Sequence, residues 1–101
     1  MSRSPHLSDH EKTTVLEILR RHLPDNTQVH VFGSRATGQC KPWSDLDLVI
    51  DAQKAIPLAL LARISEAFDE SSLPWKVDMV DRHSVSKEFA RVIDATQVRI
   101  W

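Results

Sequence analysis

The segment "SDLDLVI", residues 44–50, alternates acidic and apolar side chains, and this pattern constrains the fold of the whole chain. Successive side chains of a β-strand point to opposite faces of a sheet, so Asp45 and Asp47 share one face and the leucines share the other. Val49 and Asp51 continue the acidic face. We expect helices to cover the leucine face. The acidic face must be solvated or hold a positive charge, because neighbouring carboxylates repel one another.

The composition indicates one ordinary globular domain. The chain has 101 residues, of which 42% are hydrophobic, and its 13 basic and 14 acidic residues give a net charge of -1. No specific nucleic-acid binding is expected from this balance. Cys40 is the single cysteine, which fits a reducing compartment. No signal peptide or apolar run of about 18 residues is visible, so we expect a cytoplasmic protein that does not enter a membrane.

Helical and strand patterns alternate along the chain. A capping box, "SDHE" at 8–11, opens the first predicted helix, and Pro57 opens the second. Ser84 and Ser86 are alternative caps for a third. Predicted strands lie at 28–32, 44–50, 75–80 and 97–101. The expected class is α/β (α+β): a small mixed sheet with helices on one face and an open acidic face. The expected domain spans residues 1–101, with a loose lead-in at 1–7.

The strand "WKVDMV", residues 75–80, offers a third carboxylate. Asp78 shares a face with Lys76, and it points to the side of Asp45 and Asp47 if the two strands are neighbours. Three carboxylates on one sheet face would suit a two-metal site. Asp81 has the opposite parity, and we interpret it as a turn aspartate. A solvated edge strand remains the alternative, because Asp-x-Asp alone is a weak motif.

The Gly33-Ser34 turn comes ten residues before the paired acids. Free amides and a hydroxyl at such a turn can bind an anion, and glycine lets the backbone approach a phosphate. A phosphate site followed by magnesium-binding carboxylates is what a nucleoside triphosphate requires. An ordinary turn is the alternative. Arg35 could contact the triphosphate or be a solvated arginine, and Trp43 could stack on a base or anchor packing.

The stretch "GSRATGQCKPWSDLDLVI" resembles the signature of polymerase-β-type nucleotidyltransferases. A Gly-Ser, ten residues and Asp-x-Asp are similar to the minimal nucleotidyltransferase group, which includes antitoxins paired with HEPN-domain toxins. The resemblance implies a nucleotidyltransferase fold, ATP as substrate and two magnesium ions, which manganese could replace. It implies that Gly33 and Ser34 bind phosphate and that Asp45, Asp47 and Asp78 are the catalytic metal ligands.

The expected function follows from the resemblance and the size. A chain of this length has little room beyond a catalytic core, so the acceptor should come from a partner. The resemblance implies a HEPN toxin whose tyrosine hydroxyl receives AMP while pyrophosphate leaves. Two alternatives stay open: an antitoxin that acts by contact alone, and transfer to a small-molecule hydroxyl. Homo- and hetero-oligomers are both compatible with the sequence.

Overall fold

Helices and strands alternate strictly along residues 5–101, the part of the chain that the computed structural model describes. This order confirms the mixed class predicted from the sequence. The elements are α1 (Asp9–His22), β1 (Gln28–Phe32), α2 (Ser34–Thr37), β2 (Leu46–Asp51), α3 (Leu58–Asp69), β3 (Val77–Asp81), α4 (Lys87–Thr96) and β4 (Val98–Arg99).

Helix α1 begins where the capping box places it. The Glu11 amide donates to Ser8 Oγ at 3.1 Å, and the Ser8 amide donates to Glu11 Oε1 at 2.9 Å. Two of the amides that a helix start leaves unpaired are thus satisfied by side chains. Ser86 caps α4 by accepting from the Phe89 amide. Within the described residues, no helix has both the length and the apolar character needed to cross a bilayer.

The four strands form one mixed sheet in the order β3-β2-β1-β4. Strand β1 is antiparallel to β2 and β4, whereas β2 and β3 are parallel. The register places Asp47 of β2 beside Phe32 of β1 and beside Asp78 of β3. The condition on which Asp78 was expected to join Asp47 is therefore met, because β2 and β3 are neighbours.

The leucine face of β2 carries the main core, as the alternation predicts. Leu46, Leu48 and Ile50 are fully buried, and the helices that cover them are α1 and α3. Burial of such side chains contributes about 1.5–3 kcal/mol each. The principal helix residues in this core are Val15, Ile18, Leu19, Ile64 and Phe68.

The opposite face is only partly open, which corrects the prediction that helices pack on one face alone. Val49 of β2 is 2% exposed and packs with Phe32 and with Ile93 of α4. Helix α4 therefore covers the middle of this face. Asp47 remains half-buried and the Asp78 side chain is 47% exposed. The acidic face is thus open on both sides of Val49, at Asp47 and Asp78 on one side and at Asp51, whose side chain is 44% exposed, on the other.

Residues 5–7, expected to be loose, are held against the domain. The His6 amide donates to the Arg35 carbonyl at 2.8 Å, and Arg35 Nη1 donates to the His6 carbonyl at 2.8 Å. Leu7 packs against the main core. The rest of the predicted lead-in, residues 1–4, lies outside the described residues.

Candidate functional site

Asp47 and Asp78 are the centre of the candidate site. They occupy directly paired positions of the parallel strands β2 and β3 and so share one face of the sheet. The pKa of Asp47 is raised, first by partial burial and then by the negative charges of Asp78 and Asp45. A carboxylate in this position gains stability from any cation that relieves the repulsion.

Asp45 lies just outside the sheet. Strand β2 begins at Leu46, two residues later than the predicted strand at 44–50, which included Asp45. The Asp45 side chain is exposed, yet its charge contributes to the raised pKa of Asp47. The three predicted acids are therefore electrostatic neighbours: two are fixed by the sheet, and the third belongs to the end of a loop.

The donor set of these acids fits a hard cation. All three offer carboxylate oxygens, which are the ligands that magnesium and manganese prefer. Within residues 5–101, no three His, Cys, Asp or Glu side chains are already gathered as closely as metal ligands. Uncompensated carboxylates repel one another, which opposes such a close approach without a cation. The fit to a metal therefore rests on the oxygen donors and on the like-charge strain around Asp47.

Gly33 allows Asp47 to approach the turn after β1. A Cβ added at Gly33 would lie 2.7 Å from Asp47 Oδ2, and the residue has φ 73° and ψ -151°, a conformation essentially restricted to glycine. The sequence had suggested that glycine makes room for a phosphate. In the structure, the atom nearest to the missing Cβ is a carboxylate oxygen, so Gly33 couples the turn to the acidic strand.

Ser34 begins α2 and is half-buried beside this turn. The α2 helix has four residues and ends at Gly38 in the left-handed conformation. No hydrogen bond between residues 5–101 engages the Ser34 hydroxyl, so its donor is available to a ligand. Gly33 and Ser34 thus lie where an anion could contact both the turn and the carboxylate pair.

The environment of Arg35 differs from both environments that the sequence suggested, contact with a triphosphate and exposure to solvent. It is 5% exposed, so it is not a solvated loop arginine. Its Nε and Nη2 donate to the carbonyls of Ser44 and Pro42 at 3.0 and 3.1 Å, and its guanidinium lies 4.5 Å from the Trp75 ring centroid. This geometry favours a role in fixing the loop over the predicted contact with a triphosphate. Sequence spacing carried no signal of the contact with Trp75.

Asp81 is separated from the candidate site by its parity, as predicted. It is 6% exposed, and its carboxylate accepts from the amides of Ile56 and His83 at 2.8 and 3.0 Å and from Ser84 Oγ at 3.2 Å. The turn interpretation is confirmed by the bond to His83. The hydrogen bond from the Ile56 amide also fixes the segment before α3 to β3. Nothing in the sequence indicated this contact, because Ile56 and Asp81 are far apart in it.

Lys76, which shares the face of Asp78, and Trp43 of the spacer loop are both on the surface. Lys76 Nζ lies 3.7 Å from Asp78 Oδ1, and both side chains are largely exposed, so the pair is weakly held. Trp43 is 71% exposed and lies under Lys41, whose Nζ is 5.5 Å from the ring centroid. Trp43 is therefore not the packing anchor that a loop tryptophan usually is.

Comparison with known sequences identifies relatives along nearly the whole chain. The model of the nucleotidyltransferase domain family matches residues 12–101. A curated relative, the probable protein adenylyltransferase MntA of Haemophilus influenzae, is 39% identical over 94 residues, which are 93% of this chain and 82% of the relative.

Solved structures show the same fold. A toxin–antitoxin structure with AMP-PNP matches with a TM-score of 0.78 at 22% identity, over 89% of this chain and 72% of that chain. The complex of a tri-AMPylated HEPN toxin with its MNT antitoxin from Shewanella oneidensis matches with a TM-score of 0.71 at 20% identity, over 89% of this chain and 68% of that chain. With the family match over residues 12–101, the chain belongs to the nucleotidyltransferase domain family.

Proposed function

We propose that this protein is an antitoxin that transfers AMP from ATP to a tyrosine hydroxyl of a HEPN-domain toxin. The observation that carries the proposal is the Asp47–Asp78 pair, with Gly33 seated against the Asp47 carboxylate. The relative that is 39% identical is named a protein adenylyltransferase, which supports protein rather than small-molecule acceptors. The sole cysteine supports a cytoplasmic setting.

The triphosphate is proposed to bind at the turn after β1. Ser34 offers a hydroxyl that no hydrogen bond within the described residues uses, and Gly33 brings the turn against Asp47. Phosphate oxygens at this turn would therefore lie close to the carboxylate pair. An ATP analogue accompanies one toxin–antitoxin structure of the same fold, which supports ATP as the nucleotide.

Asp45, Asp47 and Asp78 are proposed to hold two magnesium ions, which manganese could replace. Their oxygen donors and the raised pKa of Asp47 are what support this role. When bound, the metal supplies positive charge that stabilises the negative charge of the transition state. The carboxylates would hold these ions beside the Gly33-Ser34 turn, so that the α-phosphate and the acceptor hydroxyl could meet there.

The transfer exchanges one phosphorus–oxygen bond for another. The tyrosine oxygen bonds to the α-phosphorus, and the bond from that phosphorus to the oxygen leading to the β-phosphorus breaks. Pyrophosphate leaves with the electron pair of the broken bond, and the hydroxyl proton passes to the Asp78 carboxylate. A tyrosine with a pKa of about 10 needs such an acceptor at neutral pH. Asp78 is suited to this because its side chain is 47% exposed.

The proposal is tested by incubating the protein with a HEPN-domain protein, magnesium and ATP labelled at the α-phosphate. The expected result is label on the HEPN protein, lost when its acceptor tyrosine is changed to phenylalanine. Label on a small hydroxyl compound with none on the protein would instead establish the small-molecule alternative. Absence of label in every acceptor, while the HEPN protein is neutralised, would establish inhibition by contact.

A further inference from the structure

The Arg35 side chain joins segments that are far apart in sequence. Its three types of nitrogen donate to three backbone carbonyls: Nη1 to His6 at 2.8 Å, Nε to Ser44 at 3.0 Å and Nη2 to Pro42 at 3.1 Å. The planar guanidinium presents these donors in fixed directions, so it fixes the carbonyls relative to one another. A flexible ammonium group could not impose the same arrangement.

The segments that Arg35 contacts carry the proposed site. Arg35 follows Ser34 directly, and the Ser44 carbonyl that it binds belongs to the residue before Asp45. Its guanidinium also lies against Trp75, with 4.5 Å to the ring centroid, near the start of the strand that carries Asp78. One buried side chain therefore contacts the segments from which the turn and two of the carboxylates extend.

Burying the positive charge of Arg35 costs folding free energy. Arg35 is 5% exposed, and among residues 5–101 no Asp or Glu forms an ion pair with it. Its charge is balanced by neutral carbonyls and by the face of an aromatic ring. An apolar residue would fill a core position without burying a charge. The carbonyl partners also leave the nearby carboxylates free of a competing arginine.

We infer that Arg35 is a positioning residue for nucleotidyl transfer, a conclusion that rests on the proposed function. Arg35 holds the Ser44 carbonyl and so sets where the exposed Asp45 begins relative to Asp47 on the sheet. Its guanidinium donors go to backbone carbonyls, so the inferred role is to position the loop. Without its three hydrogen bonds, Asp45 would sample positions in which the carboxylates no longer act together on the metal and the α-phosphate.

The test compares Arg35→Lys with a matched Arg63→Lys control, because Arg63 is exposed on α3. Magnesium-dependent ATP binding is measured by calorimetry, and AMP transfer is followed over a magnesium titration. We expect Arg35→Lys to unfold cooperatively. Its magnesium midpoint should rise and its transfer rate should fall, each by about 10- to 100-fold. Arg63→Lys should change neither quantity. A structural role alone would lower only the fraction of folded protein and leave the midpoint of the folded molecules unchanged.

A second variant keeps the inference testable if Arg35→Lys does not fold. Trp75→Phe preserves an aromatic core residue but gives the guanidinium a smaller ring face. We expect its magnesium midpoint to rise as well, by a smaller factor. Folded variants with the wild-type magnesium midpoint and transfer rate would overturn the inference. If the wild-type protein itself transfers no AMP, the proposed function fails first, and the two failures are thereby distinguished.

Discussion

Asp47 and Asp78 face each other across the parallel strands β2 and β3, at directly paired positions on one face of the sheet. Like charges at paired positions destabilise a sheet unless something relieves them. The raised pKa of Asp47 reflects first its partial burial and then this repulsion. A pair that lowers stability without a ligand is consistent with a site that is completed by a cation.

The first prediction is that Asp47→Asn increases the stability of the metal-free protein at neutral pH. Since the pKa of Asp47 is raised, its ionised form is less favourable in the folded than in the unfolded chain. The penalty is fully present at neutral pH and disappears as the pH falls below the ordinary value of 3.8. Urea unfolding in EDTA should show the advantage of the variant shrinking with acid. A less stable variant at neutral pH would refute the repulsion.

The second prediction separates Gly33 from Gly38. Alanine at Gly33 meets Asp47 Oδ2 at 2.7 Å, whereas alanine at Gly38 meets the movable ring of His6 at 3.0 Å. Both positions have positive φ, so both substitutions should cost about 1–3 kcal/mol in unfolding free energy. Only Gly33→Ala should also reduce AMP transfer, by roughly a hundredfold, because it displaces a carboxylate.

Gly38→Ala is the control, since it imposes backbone strain away from the acids. Thermal melts measure the common loss of stability, and transfer is then measured at a temperature where both variants are folded. Equal transfer by the two alanine variants would show that the approach of Gly33 to Asp47 has no functional importance.

The third prediction concerns the two aspartates of β3. Asp81→Asn places an amide group where the carboxylate accepts from Ile56, His83 and Ser84, and should cost about 1–3 kcal/mol. Asp78→Asn removes a half-exposed charge that repels Asp47, and should leave stability within about 0.5 kcal/mol. Chemical unfolding of both variants checks this. Comparable losses would contradict the division between a structural and a functional acid.

The fourth prediction compares two tryptophans. Trp75 is 8% exposed in the main core, so Trp75→Ala should cost about 3–5 kcal/mol. Trp43 is 71% exposed, so Trp43→Ala should change stability by no more than about 0.5 kcal/mol. Denaturant midpoints give the comparison. A large loss at Trp43 would mean that the loop tryptophan anchors packing after all.

The period-two pattern predicted the parts of the fold that depend on strand faces. Leu46 and Leu48 are buried, and Asp47 shares a face with Asp78, because alternation determines which side chains point the same way. The capping box likewise placed the start of α1, since it depends only on residues three apart.

Other features were not predictable because they depend on contacts between distant segments. Val49 shares the parity of Asp47 but is covered by Ile93, a residue of α4 that comes more than 40 positions later in the sequence. The burial of Arg35 requires Trp75 and the loop before Asp45 to meet around it. Neither contact leaves a periodic trace in the sequence.

The proposed AMP transfer is tested most directly by asking whether neutralisation of a HEPN-domain partner requires chemistry at Asp45. Wild-type protein and Asp45→Asn are incubated at equal concentration with the partner, ATP and magnesium, and the partner is analysed by intact mass and by its toxicity. Folding of the variant is confirmed first by circular dichroism. We expect the wild type to add the mass of AMP and remove toxicity, and Asp45→Asn to do neither. Full neutralisation by Asp45→Asn without added mass would contradict the proposed AMP transfer.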